Sequence, residues 1–352
     1  MIGLRISGGD WMFTLKNTFN EIIANSGPEL SLFFSQEIMS MIPEEYRDRT
    51  MQELSETLTM PWGAPFPADD LVAEANMAAQ GDQLWDLIPL WDANLTIDSN
   101  DRHSVCLMRL KNMPEGLRPV VIICPGGGYE FLSFDYEGIQ IARRMEEAGY
   151  RAFILNYRVS PNHYPDPQLD LMCAIRHVRA NAEKYQIRKN DLMVLGFSAG
   201  GHLCASTAAL SDKLEVKYAE EAARFCPEDV KAYCAESAIP DKICLCYPVI
   251  SFLAEQHEPS FIALSGGDES LREPLSVETL ITDAYPKTFL WTCADDLLVP
   301  PSNSERMALA LDNSHVPHRF IMYPQGGHGC SLGKGTSAEG WADEMLRFMQ
   351  PE

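Results

Sequence analysis

Residues 192–202 read LMVLGFSAGGH. An apolar run at 192–195 leads into Gly196-Phe197-Ser198-Ala199-Gly200, a G-x-S-x-G, and a helical pattern follows over 199–210. Strand, turn and helix in that order are the setting of a nucleophile elbow, in which a serine stands above the edge of a sheet. A serine on so sharp a turn occupies strained backbone space. Side chains two positions before and after it would collide across the turn, which is a reason for Gly196 and Gly200. Ser198 Oγ is then expected at a helix N-terminus, where the Ala199 N–H and the helix dipole face developing negative charge.

Working outward, short β-rich runs alternate with helical patterns. The runs are 104–110, 119–124, 152–157, 192–197, 243–248, 288–293 and 318–323. Several are apolar nearly throughout, as in strands covered on both faces of a parallel sheet. Helical spacing fills 135–148, 168–184, 199–210, 302–313 and 338–349. The expected fold is a mostly parallel α/β sheet with helices on both faces. The interval 251–286 exceeds a plain crossover and has room for a small cap.

The run at 119–124 ends in Pro125-Gly126-Gly127-Gly128-Tyr129. Consecutive glycines let backbone N–H groups approach a ligand. After a third strand in this setting they complete an oxyanion hole, with Gly127 and Gly128 as candidate donors beside Ala199. A dinucleotide or phosphate loop fails on spacing, since no G-x-G-x-x-G follows. Gly329-Cys-Ser-Leu-Gly333-Lys334 fails likewise, with three residues between its glycines instead of four.

A serine nucleophile needs a base, and the base an orienting acid, in the chain order Ser, acid, His. Asp295-Asp296 follows the run at 288–293, and Gly326-Gly327-His328-Gly329 follows the run at 318–323. Both fall at the sheet edge that holds Ser198, where open α/β sheets bind ligands. His328 is the base, and Asp295 and Asp296 compete for the acid. His202, in the first turns of the helix, reads as structural. His315-Val-Pro-His318 is interrupted by proline and lacks an adjacent carboxylate or thiol, so it reads as surface. No metal or cofactor site is expected.

The chain has 352 residues, 28 Lys+Arg against 50 Asp+Glu, and a formal net charge of −22. That balance argues against nucleic acid, whose phosphates need clustered Lys/Arg, and against anionic membrane surfaces. Residues 1–100 hold 16 acidic and 4 basic residues, over half of the excess. The asymmetry points to a separate N-terminal unit. Residues 1–90 read as helices: Trp11, Met12, Leu15, Phe19, Ile22 and Ile23 form one stripe, and Leu30, Phe33, Phe34, Ile38 and Met41 another. Thr50-Met-Gln-Glu53 has the pattern of a capping box, and a further helix is expected from Asp69 or Asp70. This extension would serve packing, oligomerisation or a lid, and residues 91–352 the catalytic domain. The ten cysteines contain no C-x-x-C pair, and most sit in apolar runs. Reduced thiols and an N-terminus without a signal-peptide pattern predict a cytoplasmic protein.

PGGGY at 125–129, Tyr157-Arg158, GFSAGGH at 196–202, TCADDLLVP at 292–300 and YPQGGHG at 323–329 together resemble the α/β-hydrolase fold. Within it they resemble the acetyl-esterase or acetylxylan-esterase-like branch, related to the hormone-sensitive-lipase-like esterases. The resemblance spans about residues 93–352. It implies Ser198 as nucleophile, His328 as base and, because the acid precedes two residues and then Val-Pro, Asp296. Pro125 stands where many relatives carry histidine, which leaves the backbone donors in place. The expectation is a serine hydrolase of small acyl esters, acetyl in particular, of a sugar or similar alcohol, with a small-molecule ester as its partner. Two alternatives share the scaffold: a peptidase or amidase of the prolyl-oligopeptidase type, and a non-catalytic binding protein.

Overall fold

A computed structural model describes residues 13–25, 42–59, 66, 68–79, 85–92, 94–96, 100–111, 115–226 and 233–350. The chain divides into two compact units, Met1–Trp85 and Asp86–Glu352.

The first unit contains helices α1 (Phe19–Asn25), α2 (Met51–Thr57) and α3 (Ala68–Ala79). Thr50 caps α2 as its spacing predicts. Its Oγ1 accepts from the Glu53 N–H at 3.2 Å, and the Glu53 carboxylate accepts from the Thr50 N–H at 2.9 Å. Phe19, Ile22, Met51 and Leu54 are fully buried, the inward faces of α1 and α2. The stripe from Leu30 to Met41, and Trp11 and Met12 of the first, lie outside the described residues.

The second unit is built on an eight-stranded sheet: β1 (Trp85–Pro89), β2 (Cys106–Leu110), β3 (Arg118–Cys124), β4 (Arg151–Asn156), β5 (Ile187–Phe197), β6 (Lys242–Cys246), β7 (Lys287–Cys293) and β8 (His318–Tyr323). Their order is β1-β2-β4-β3-β5-β6-β7-β8. β2 runs antiparallel to β4, and β3 to β8 are parallel. Val120–Cys124, Leu192–Leu195 and Ile243–Cys246 are wholly buried, so central strands are apolar in a row instead of alternating.

The helices of this unit are α4 (Gln140–Glu147), α5 (Asp166–Ala180), α6 (Ala182–Tyr185), α7 (Ser198–Phe225), α8 (Glu258–Ser265), α9 (Arg272–Leu275), α10 (Ser302–Asn313) and α11 (Trp341–Met349). α7 runs past its expected end at 210, because Leu214, Tyr218 and Ala222 keep one face buried while Asp212, Lys213 and Lys217 stay outside. The 251–286 interval holds α8 and α9, with Phe252, Phe261, Leu264, Leu275 and Val277 in the hydrophobic core.

One expectation is corrected. Residues 85–89 were included in the helical 1–90 stretch, and they form the edge strand β1. Only Trp85 of the five is buried, so the strand shows neither a continuous apolar run nor a clear alternation. Pro89, which cannot donate to a ladder, is tolerated at such an edge.

The register of the parallel strands decides where the loops meet. Cys124 pairs with Gly196, Phe197 with Cys246, Cys246 with Trp291 and Cys293 with Tyr323. The loops leaving β3, β5, β6, β7 and β8 therefore emerge side by side at one edge.

Candidate active site

Ser198 begins α7 with φ of 51°, the left-handed region that serine rarely adopts. A Cβ on Gly196 would lie 2.2 Å from the Gly200 carbonyl oxygen, the collision across the turn that the spacing predicts. Gly200 is required for a different reason. Its Cβ would lie 2.1 Å from the Cys124 oxygen and 2.4 Å from the Pro125 oxygen, on the neighbouring strand's exit. The elbow is thus pressed against the glycine loop. Val249 N–H donates to the Ser198 carbonyl at 3.1 Å, which holds the turn from the β6 side.

The structure brings Ser198, His328 and Asp296 into one hydrogen-bonded series. His328 Nε2 lies 2.8 Å from Ser198 Oγ, and His328 Nδ1 lies 2.7 Å from Asp296 Oδ2. The Asp296 side chain is fully buried, and its Oδ1 accepts the N–H groups of Leu298 and Val299 at 3.0 and 2.9 Å. A carboxylate so held makes Nδ1 the protonated nitrogen of a neutral imidazole and leaves Nε2 as the acceptor toward Oγ.

Asp295, the other candidate for the acid, is exposed and does not reach His328. It accepts the N–H groups of Gly326 and Gly327 at 3.0 and 2.8 Å, and so fastens the start of the histidine loop to the acid loop.

The glycine loop is held at several of its backbone polar atoms. Tyr157 Oη donates to the Pro125 carbonyl at 2.6 Å, and Gly126 N–H donates to Glu137 Oε2 at 2.7 Å. Glu130 N–H donates to the Gly127 carbonyl at 2.9 Å, and Ser160 N–H to the Tyr129 carbonyl at 2.7 Å. Among the described residues, the N–H groups of Gly127 and Gly128 take no partner. Those two amides, with Ala199 at the first turn of α7, are donors left over for a ligand. Gly128 also faces α8: a Cβ there would lie 3.8 Å from Ser260 Oγ and 3.9 Å from His257 Cε1. Burial lowers the pKa of His257 below the ordinary histidine value.

His202 is structural, as its place in the helix suggested. It is fully buried, bonded to Tyr129 Oη and the Leu275 carbonyl at 2.8 Å each, and burial pushes its pKa down to about 4. His318 is bonded to the Val316 carbonyl and takes no part in the site.

Two residues were invisible to the motif reading. Glu137 is buried under the glycine loop, and its Oε1 accepts from Tyr247 Oη at 2.7 Å. Tyr247 packs its ring edge-on to His328, with centroids 4.9 Å apart. The available signal was Tyr247 directly after an apolar strand, a loop position at the same edge as the serine.

The chain is 32% identical over 232 residues to endo-1,4-beta-xylanase B of Butyrivibrio fibrisolvens, a match covering 64% of the chain and 34% of that protein. It is 30% identical over 244 residues to an acetylxylan esterase of Xylanibacter ruminicola, covering 67% of the chain and 45% of that protein. The chain thus spans less than half the length of either relative. Among solved structures, an acetyl ester-xyloside bifunctional hydrolase from Caldicellulosiruptor lactoaceticus is 34% identical, with a TM-score of 0.65 over 75% of this chain and 94% of that one. The BD-FAE family profile matches residues 108–311, from β2 through the glycine loop, elbow and acid loop to α10. With its strand order and its serine elbow, the chain belongs to the BD-FAE family and has the α/β-hydrolase fold.

Proposed function

We propose that the protein is a serine carboxylic-ester hydrolase acting on small acyl esters, acetyl above all, of a sugar or similar alcohol. One observation carries this reading: Ser198 Oγ, His328 and Asp296 are linked by hydrogen bonds of 2.8 and 2.7 Å on an elbow beside two unpartnered glycine amides. The relatives named acetylxylan esterase and acetyl ester-xyloside hydrolase support the acetyl and sugar parts of it.

In this mechanism Ser198 Oγ attacks the acyl carbonyl carbon while His328 Nε2 takes its proton. Asp296 holds the imidazole and stabilises the imidazolium. The N–H groups of Ala199 with Gly127 or Gly128 receive the tetrahedral oxyanion, each worth about 3 kcal/mol of barrier. The intermediate collapses, the alkoxide leaves with the proton from His328, and an acyl-Ser198 ester remains. Water then adds to that ester, gives its proton to His328, and releases the carboxylic acid with Ser198 restored. A neutral ester needs no electrostatic steering, so a chain of net charge −22 is no obstacle to it.

Hydrolysis of an activated acetyl ester by the wild type and by Ser198→Ala tests the proposal. The variant is expected to lose about a million-fold in kcat, the scale of nucleophile removal in serine hydrolases. Activity near the wild-type level in folded Ser198→Ala would refute it.

A further inference from the structure

We propose that Glu137 is a positioning residue which, through Tyr247, braces the glycine loop and the histidine loop against each other around Ser198. The inference rests on the esterase reading above.

The brace is continuous in hydrogen bonds. Glu137 Oε2 accepts the Gly126 N–H at 2.7 Å, and Glu137 Oε1 accepts the Tyr247 Oη–H at 2.7 Å. Tyr247 Oη in turn accepts the Ser331 N–H at 3.1 Å, three residues beyond His328. Ser331 Oγ donates to the Tyr136 carbonyl, which returns the circuit to the residue before Glu137. Tyr247 has φ of 37°, a strained value, and is wholly buried with its ring against His328. At the other end, a Cβ on Gly126 would lie 2.7 Å from Glu137 Oε2 and 2.9 Å from Ser198 Cβ. Glu137 therefore touches the residue that abuts the serine, and Tyr247 touches the base.

Removing Gly126 N–H from play has a chemical consequence. With that amide committed to Glu137, the next two amides of the loop are the ones presented to a ligand. Displacing Gly126 would swing Gly127 and Gly128 together, because they follow it in the same tight turn. Glu137 itself sits in a short π-helical turn, Asp135–Ile139, a rare element frequent at functional sites.

A purely structural acid would be an odd choice here. Glu137 is 4% exposed, and burial raises its pKa above the usual carboxylate range. Both oxygens are placed as acceptors, of the Gly126 N–H and the Tyr247 Oη–H, and holding a charge there carries a desolvation cost. An amide of the same shape would relieve that cost. Stability and activity should therefore respond oppositely to Glu137→Gln, where a structural role would make them fall together.

The test uses the full-length protein, an activated acetyl ester, and the rate at which a fluorophosphonate labels Ser198. Glu137→Gln should melt at or above the wild-type temperature, lose about tenfold or more in kcat with KM within about threefold, and label about tenfold more slowly. Tyr247→Phe keeps the ring against His328 and should show a smaller loss in the same parameter. The double variant should lose no more than about twice what Glu137→Gln loses, because both act through one circuit. A labelling rate for Glu137→Gln within twofold of wild type would overturn the proposal, as would a loss confined to KM. Should Glu137→Gln fail to fold, a wild-type labelling rate in Tyr247→Phe overturns it equally. Wild-type protein that labels at Ser198 but hydrolyses no ester sinks the esterase reading alone, while the labelling rates still decide the brace.

Discussion

The sharpest prediction concerns Asp296→Asn, because the structure dictates which way the new amide must face. Asp296 Oδ1 accepts two backbone N–H groups, from Leu298 and Val299 at 3.0 and 2.9 Å. An amide nitrogen cannot accept them, so the asparagine carbonyl oxygen stays at Oδ1 and its NH2 takes the place of Oδ2. That NH2 then faces His328 Nδ1 across 2.7 Å, as a donor where an acceptor stood. The imidazole must accept at Nδ1 and carry its proton on Nε2, which points at Ser198 Oγ 2.8 Å away. A protonated Nε2 cannot take the serine proton. The loss expected for this wrong tautomer is about 10⁴-fold in kcat, or about 5 kcal/mol of barrier. Asp295→Asn is the internal control. Its oxygen can still accept from Gly326 and Gly327, so activity should stay within about fivefold of wild type. Initial rates on an activated acetyl ester, with circular dichroism to confirm folding, measure both. A folded Asp296→Asn within tenfold of wild type, or the two aspartates exchanging phenotypes, would refute the reasoning.

Two further outcomes follow from packing and burial. Gly200→Ala places a methyl 2.1 Å from a backbone oxygen that cannot turn aside, and should destabilise by about 3 kcal/mol or more in urea unfolding. Gly128→Ala has its nearest contact at 3.8 Å and bears only the left-handed backbone cost of about 1 kcal/mol, so equal losses would contradict the geometry. Burial lowers His202 from 6.5 to about 4, so the unfolded chain binds the extra proton between those values. The stability this contributes is complete above pH 6.5 and disappears as the pH falls toward 4, on the order of 3 kcal/mol. Unfolding free energies at pH 7 and 4.5 should therefore converge more in His202→Gln than in wild type. Parallel slopes would show that His202 is not the group responsible.

What was legible in the sequence was what neighbouring residues encode. A serine at positive φ between Gly196 and Gly200, a run of glycines after an apolar strand, and a capping box at Thr50 are local geometries. Each depends on a few consecutive residues. That the central strands run parallel was legible too, since strands covered on both faces are apolar throughout. Edge strand β1 escaped because half-exposed residues at an edge carry no such mark.

By itself the sequence determined the elbow, the order in which serine, acid and histidine follow one another, and the edge at which they gather. The resemblance favoured Asp296 over Asp295, which is adjacent and chemically alike, but only the tertiary structure shows what each carboxylate touches. The choice depends on which carboxylate the turn after β7 aims at the histidine loop and which at its backbone amides. Glu137 and Tyr247 belong to the same class: 110 positions apart in the chain, they share a hydrogen bond of 2.7 Å. They meet because the register of parallel strands brings the exits of β3, β6 and β8 together, and a register is a property of paired backbones, not of any one stretch of residues.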